Sequence, residues 1–123
     1  MIVGIGVDLL SIKRIQSIVS RGSRYSQRFS RRILCDRELT EYRACETDKL
    51  RIGFLASRWC LKEAIYKAAY PHQILQWNDV CIYKDGPRPL ADIQWNKGLA
   101  DARVHVSLSH DHDLLVAYAI IEK

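Results

Sequence analysis

Two carboxylates in this chain sit in company that could do chemistry. One is Asp8, which ends the apolar run in MIVGIGVDLLSIKRI. With a period of two, Val3, Ile5, Val7 and Leu9 point one way along a strand. Ile2, Gly4, Gly6 and Asp8 point the other way, so that face is almost bare until the carboxylate. The two glycines invite the dinucleotide fingerprint G-x-G-x-x-G, but its third glycine position is Leu9. A glycine within a strand marks close approach of a ligand or of another backbone. Asp8 therefore either stands at the end of a cleared lane or, more plainly, caps the following helix in competition with Ser11.

The second carboxylate is Glu63, in FLASRWCLKEAIYKAAY. Read as a helix, this segment has Phe54, Leu55, Leu61, Ile65 and Ala68 as its core face. Arg58 and Lys62 are four residues apart and stack on one stripe, while Glu63 and Lys67 form a second pair on another. Glu63–Lys67 alone is a surface pair worth about 0.2–0.5 kcal/mol. Arg58 and Lys62 repel by a similar amount, and an anion bound between them would relieve the cost.

A third element, VHVSLSH, alternates Val104, Val106 and Leu108 on one face with His105, Ser107 and Ser109 on the other, and His110 follows. Hydroxyl and imidazole groups along a strand suit a phosphate or another polar ligand. A Ser/His/Asp hydrolase lacks its G-x-S-x-G elbow here. The run His110–Asp113 cannot converge four consecutive side chains on one metal ion. Asp8 and Glu63 together offer the hard oxygen ligands that Mg²⁺ prefers, with substrate phosphates completing its shell. Arg58, Lys62, Lys67 and the Ser/His strand would supply donors for several phosphates. That set suits phosphoryl-type transfer from a diphosphate.

These residues need elements to position them. Residues 2–9 read as a strand and 11–20 as a helix with Ser11 as N-cap, after which Gly22 loosens the chain. A short helix over 36–45 begins at Asp36. Thr47 caps a long helix over 48–70 that Pro71 ends. Strands follow at 79–84 and 89–94 around Asp85-Gly86-Pro87, then a short helix at 96–102 and two strands at 103–109 and 114–121. The order predicts one α+β domain over 1–123, a mostly antiparallel sheet packed by the long helix.

Composition narrows the class. The net charge is +5, and residues 9–35 hold seven basic residues and no acid, so the rest of the chain is slightly acidic. So one-sided a run predicts an acidic partner. No apolar run is long enough to span a membrane, and no secretory segment opens the chain. Cys35, Cys45, Cys60 and Cys81 follow no metal or redox spacing, which predicts four free thiols in a reducing intracellular compartment.

Taken together, GIGVDLLSIKRI, RFSRRILCDREL, FLASRWCLKEAIYKA and HVSLSH resemble the holo-acyl-carrier-protein synthase family, the short, stand-alone type of 4′-phosphopantetheinyl transferase. The resemblance runs from residue 2 to about 121. It implies that Asp8 and Glu63 hold Mg²⁺ with the coenzyme A diphosphate, and that Lys67 touches phosphate. It implies that Ser109 and His110 hold coenzyme A from a neighbouring subunit of a homotrimer. The family's G-x-P element near the nucleotide is approximated by Gly86-Pro87-Arg88-Pro89, which points to Gly86, Arg88 and Pro89. The segment GSRYSQ is longer than usual, and Trp59 stands where phenylalanine is common. Longer relatives carry a third acidic ligand where this chain has Leu10, as fits the short class. The implied reaction moves phosphopantetheine from coenzyme A to a serine of an acyl-carrier protein, releasing adenosine 3′,5′-bisphosphate.

On this reading Asp8, Glu63 and Lys67 are catalytic. Arg58, Lys62, Lys67, His105, Ser107, Ser109 and His110 bind coenzyme A. An acidic carrier protein supplies the partner that the basic run needs, docking on Arg14, Arg21, Arg24, Arg28 and Phe29. The alternative is a small nucleic-acid-binding protein that uses the same run with Tyr25 and Phe29 as stacking residues. It leaves Asp8, Glu63 and the Ser/His strand without a role.

Overall fold

A computed structural model describes all residues, Met1–Lys123. The alternating apolar pattern at both ends of the chain brings those ends together. Strand β1 (Ile2–Ser11) pairs antiparallel with β5 (Leu114–Glu122), and β5 pairs with β4 (Arg103–Asp111) on its other edge. A separate antiparallel ribbon joins β2 (Val80–Asp85) to β3 (Arg88–Ile93) through a turn in which Gly86 has φ +60°. The expected α+β class therefore holds, with two sheets in place of one.

Four helices fill the span between β1 and β2: α1 (Ile12–Val19), α2 (Ser23–Ile33), α3 (Asp36–Arg43) and α4 (Asp48–Ala69). The Thr47 side chain accepts from the Leu50 N–H and caps α4, as its sequence position predicts. The basic stretch after Gly22 is a helix of its own, and the backbone breaks at Gly22, where φ is +119°. The short helix expected at 96–102 contracts to a single 3₁₀ turn, Lys97–Leu99.

The face of β1 that bears Gly4, Gly6 and Asp8 is the inner one, and α4 lies directly on it. A Cβ on Gly4 would sit 1.9 Å from the Ala68 carbonyl oxygen, and one on Gly6 would sit 1.8 Å from that of Ala64. The cleared lane is thus filled by the long helix of the same chain and is closed to a neighbour. Opposite Gly6 and Asp8, β5 offers Ala119 and Ala117, both fully buried. Small residues on three strips let helix and sheet approach closely, and Leu55, Leu61 and Ile65 complete the core.

The other sheet face is apolar and uncovered. Register places Ile5, Val7 and Leu9 beside Ile120, Tyr118 and Val116, and these beside His105, Ser107 and Ser109. Leu9 is 65% exposed, Ile5 63% and Tyr118 52%. No helix of the chain is long and apolar enough to cross a membrane.

The expectation of four free thiols is corrected. Cys35 and Cys81, separated by 46 positions, are joined, while Cys45 and Cys60 are free. The cause is a folding contact that spacing does not reveal. Fully buried Glu38 accepts from the N–H of Cys35 at 2.8 Å and from the N–H of Ile82 at 3.1 Å, which sets the start of α3 against β2.

Candidate active site

Strand β1 delivers Asp8 to the sheet face under α4, and α4 delivers Glu63 and Lys67 one turn apart. Lys67 Nζ donates to Asp8 Oδ1 at 3.1 Å and to the Val7 carbonyl at 2.9 Å. The Lys67 side chain is about half exposed while that of Asp8 is 14% exposed, so a strongly sheltered carboxylate meets an amine open to solvent. Glu63 is half-buried beside them. Burial first, and then the charge of Asp8, push its carboxyl above the ordinary value, while Lys67 and Arg14 pull it down. The helical pair Glu63–Lys67 read from sequence is replaced by the longer-range pair Asp8–Lys67.

Glu63, whose ionisation Asp8 penalises, and Asp8 itself, met by one movable ammonium, form a donor set that a hard divalent cation would stabilise. Asp8 and Glu63 therefore fit Mg²⁺. Cys60, whose thiol donates to the Asp8 carbonyl at 3.4 Å, is pushed up to about 12 by burial and by Asp8, and so stays a neutral packing group.

Arg58 and Lys62 are a correction. Their stripe faces inward and both are engaged by groups of this chain, with Lys62 at the edge of the cavity beside Glu63. Lys62 is 2% exposed and spends its three donors on Glu38 Oε1 at 2.6 Å, the Ile33 carbonyl at 2.6 Å and the Trp77 carbonyl at 3.3 Å. Burial holds its amine below the ordinary value against the pull of Glu38. Arg58 lies 3.8 Å over the Phe54 ring, with Glu41 at 3.5 Å as its counter-ion. The repulsion between the two cations is relieved by two acids from α3, buried Glu38 and exposed Glu41, and not by a ligand. Glu38, the hub of this arrangement, carries no sequence signal beyond its place in RILCDREL.

Arg14 is closer to the centre than its sequence distance suggests. Helix α1 sets its guanidinium over the Trp59 ring, 5.8 Å from the centroid, and its charge reaches Glu63. Trp59 stacks on Phe29 at 5.5 Å and meets Trp77 at a tilt, 4.8 Å between ring centroids. A cavity of about 150 Å³ beside Glu63 is walled by Tyr66, Leu75, Trp77 and Val80. Trp77 and Tyr66 were not singled out from sequence, and only the placement of Trp59 four residues before Glu63 signals this aromatic wall. Arg28 and Phe29 line a hollow with Tyr25 and Arg32, Arg21 donates to the Tyr25 hydroxyl at 2.9 Å, and Arg24 is exposed.

The remaining expected ligands lie elsewhere in this chain. Ser109 and His110 border a shallow hollow with Leu9 and Leu114 at the hairpin end of the sheet. His105 Nε2 lies 2.8 Å from Glu122 Oε1, and Ser107 stands on the outer face. Gly86, Arg88 and Pro89 are on the β2–β3 ribbon. None of these makes a hydrogen bond or ion pair with Asp8, Glu63 or Lys67.

Comparison with known proteins identifies the family. Residues 4–119 match the model of the 4′-phosphopantetheinyl transferase superfamily. A holo-[acyl-carrier-protein] synthase of Lactococcus lactis is 34% identical over 125 residues, covering 100% of this chain and 99% of that protein. Its counterpart in Clostridium tetani is 31% identical, over 99% and 97% of the two chains. Among solved structures, the holo-[acyl-carrier-protein] synthase of Neisseria meningitidis superposes with a TM-score of 0.82 at 29% identity, over the full length of both chains. That of Bacillus anthracis, solved in complex with CoA (3′,5′-ADP), gives 0.80 at 27%, over 100% of this chain and 98% of the other. Sequence and fold thus converge, and the chain belongs to the 4′-phosphopantetheinyl transferase superfamily, among its holo-acyl-carrier-protein synthases.

Proposed function

We propose that this enzyme transfers 4′-phosphopantetheine from coenzyme A to a serine hydroxyl of an acidic apo acyl-carrier protein, with Mg²⁺ held by Asp8 and Glu63, releasing adenosine 3′,5′-bisphosphate. The observation that carries the reading is the cluster itself: two sheltered carboxylates from β1 and α4, with Lys67 paired to Asp8 beside Glu63. The relatives named above support the substrates, and the Bacillus anthracis protein carries the coenzyme A nucleotide in its complex.

When bound, the cation neutralises diphosphate charge and stabilises what develops on the leaving phosphate. The chain's own residues do the rest. Lys67 is free to swing its ammonium from Asp8 to a phosphate oxygen, because half of its side chain is in solvent. Asp8 and Glu63 fix where the diphosphate lies relative to the Trp59–Trp77 wall. Arg14, Arg28 and Phe29 border that wall and offer a basic approach for an acidic carrier.

Ser109 and His110 act from a neighbouring subunit in this reading, in a homotrimer that covers the exposed apolar sheet face. The support is twofold. Within one chain these residues do not reach the carboxylates, and the uncovered face carries large apolar side chains that a lone domain rarely exposes together.

The test is direct. The chain is incubated with coenzyme A, Mg²⁺ and an apo carrier protein, and the carrier's mass is followed. A phosphopantetheine adduct is expected. Asp8→Ala and Glu63→Ala should each cut its rate by about 100-fold or more, because several kcal/mol rest on the cation and each 1.4 kcal/mol or so is tenfold. Near-normal turnover of Glu63→Ala at limiting Mg²⁺ would show the metal assignment to be wrong.

A further inference from the structure

Helix α2 carries two polar faces, and only one of them looks toward the carrier approach. Tyr25, Arg28, Phe29 and Arg32 make one stripe. Ser23, Ser26, Gln27, Ser30 and Arg31 make another, centred roughly 180° away at 3.6 residues per turn. The second stripe borders a cleft of about 670 Å³ between α2, α3 and the start of α4. No residue of the transfer site lines it.

The lining of this cleft is basic and polar. Arg31 from α2, Arg43 from the end of α3 and Arg51 from the first turns of α4 converge on it. Arg51 is paired with Asp48 at 3.0 Å, but Arg31 and Arg43 pair with no acid. Three guanidinium groups against one carboxylate leave an excess positive charge in a concave space. The Oγ atoms of Ser26 and Ser30, on the wall, donate to the carbonyls of Ser23 and Gln27, so the uncommitted donors are the guanidinium groups of Arg31 and Arg43. The Tyr42 phenol stands on the same wall beside Ser26, raised above its ordinary value by burial.

We infer that this cleft is a second ligand site, separate from the transfer centre, for a small polar molecule bearing a phosphate or diphosphate group. Guanidinium forks match phosphate oxygens in pairs, and the excess charge suits a dianion. The volume lies in the range of small-molecule sites, of about 300–1,000 Å³. Val19 and Tyr42 are the apolar residues of the lining, which argues against a hydrophobic ligand. Both are recessed, so the rim offers a bilayer no apolar anchor. The ligand is a free phosphate compound and not a lipid headgroup.

The experiment uses the whole enzyme saturated with coenzyme A and Mg²⁺, titrated with pyrophosphate by calorimetry. Saturable binding is expected to persist under these conditions and to weaken at least tenfold in Arg31→Gln and in Arg43→Gln. Transfer activity measured without pyrophosphate should be unchanged in both. Arg43→Lys, which keeps the charge but loses the fork, should lie between wild type and Arg43→Gln. Absence of saturable binding, full displacement by coenzyme A, or indifference to both glutamine variants would each overturn the inference. So would Arg43-dependent sedimentation with vesicles containing phosphatidic acid when pyrophosphate itself does not bind.

Discussion

At the scale of single residues, Glu63 couples the site to stability. Its carboxyl is raised by burial and by Asp8, so the folded chain holds a proton there over a window in which the unfolded chain has already lost it. The window opens at the ordinary glutamate value and closes at the raised one. Stability therefore falls as pH rises through it, because the native state binds more protons than the unfolded state. Glu63→Gln, measured without divalent metal, should melt higher than wild type at neutral pH and lose that advantage below the window. Added Mg²⁺ should raise the melting temperature of wild type and leave Glu63→Gln nearly unmoved. A constant difference between the two proteins across pH would mean that Glu63 is not under this strain. Lys62 tests the opposite kind of charge. Replacing it by Met strands fully buried Glu38, so Lys62→Met should lose about 3–5 kcal/mol in denaturant unfolding. A phosphate-binding surface lysine would lose coenzyme A affinity and almost no stability.

At the scale of elements, the decisive contact is β1 against α4. Gly6→Ala would drive a methyl into the Ala64 backbone, which cannot yield as a side-chain tip can. A destabilisation of about 1–3 kcal/mol or more is expected in urea unfolding, with reduced transfer because Asp8 shifts relative to Glu63. A neutral effect would mean that the helix stands further off. The same contact shows how the sequence could be read and where reading stopped. A period of two placed Gly4, Gly6 and Asp8 on one face correctly, and the helical period placed Glu63 and Lys67 one turn apart. Neither period says which neighbour fills a bare face, so the lane could be assigned to a ligand when it belongs to α4. Lys62 failed for the same reason. Its stripe was legible, but the acid that claims it comes from α3, and nothing in the spacing of Glu38 and Lys62 records that meeting. Cys35 and Cys81 meet at that same Glu38 contact. Arg14 came out nearer the centre than expected because α1 folds straight back from β1 over Trp59.

At the scale of the whole molecule, one chain does not bring together all the groups that the proposed reaction assigns to the site. The carboxylates lie on the inner side of the sheet under α4, while Ser109 and His110 lie two strands away at the hairpin end. The outer face between them exposes Ile5, Leu9 and Tyr118. In the proposed trimer, burying this face and completing the site are one event. A charge placed there should separate subunits without unfolding them, since the side chain is already in solvent in the lone chain. Ile5→Asp is expected to sediment as a monomer, keep its far-ultraviolet circular dichroism and lose transfer activity. A stronger test needs no disruption. Glu63→Ala and His110→Ala should each be weakly active alone. After subunits are exchanged in a one-to-one mixture, about a quarter of sites should draw Glu63 from one parent and His110 from the other, and activity should recover accordingly. No recovery after demonstrated exchange would place both groups in one subunit's site or remove His110 from the mechanism. An active Ile5→Asp monomer would overturn the shared site outright.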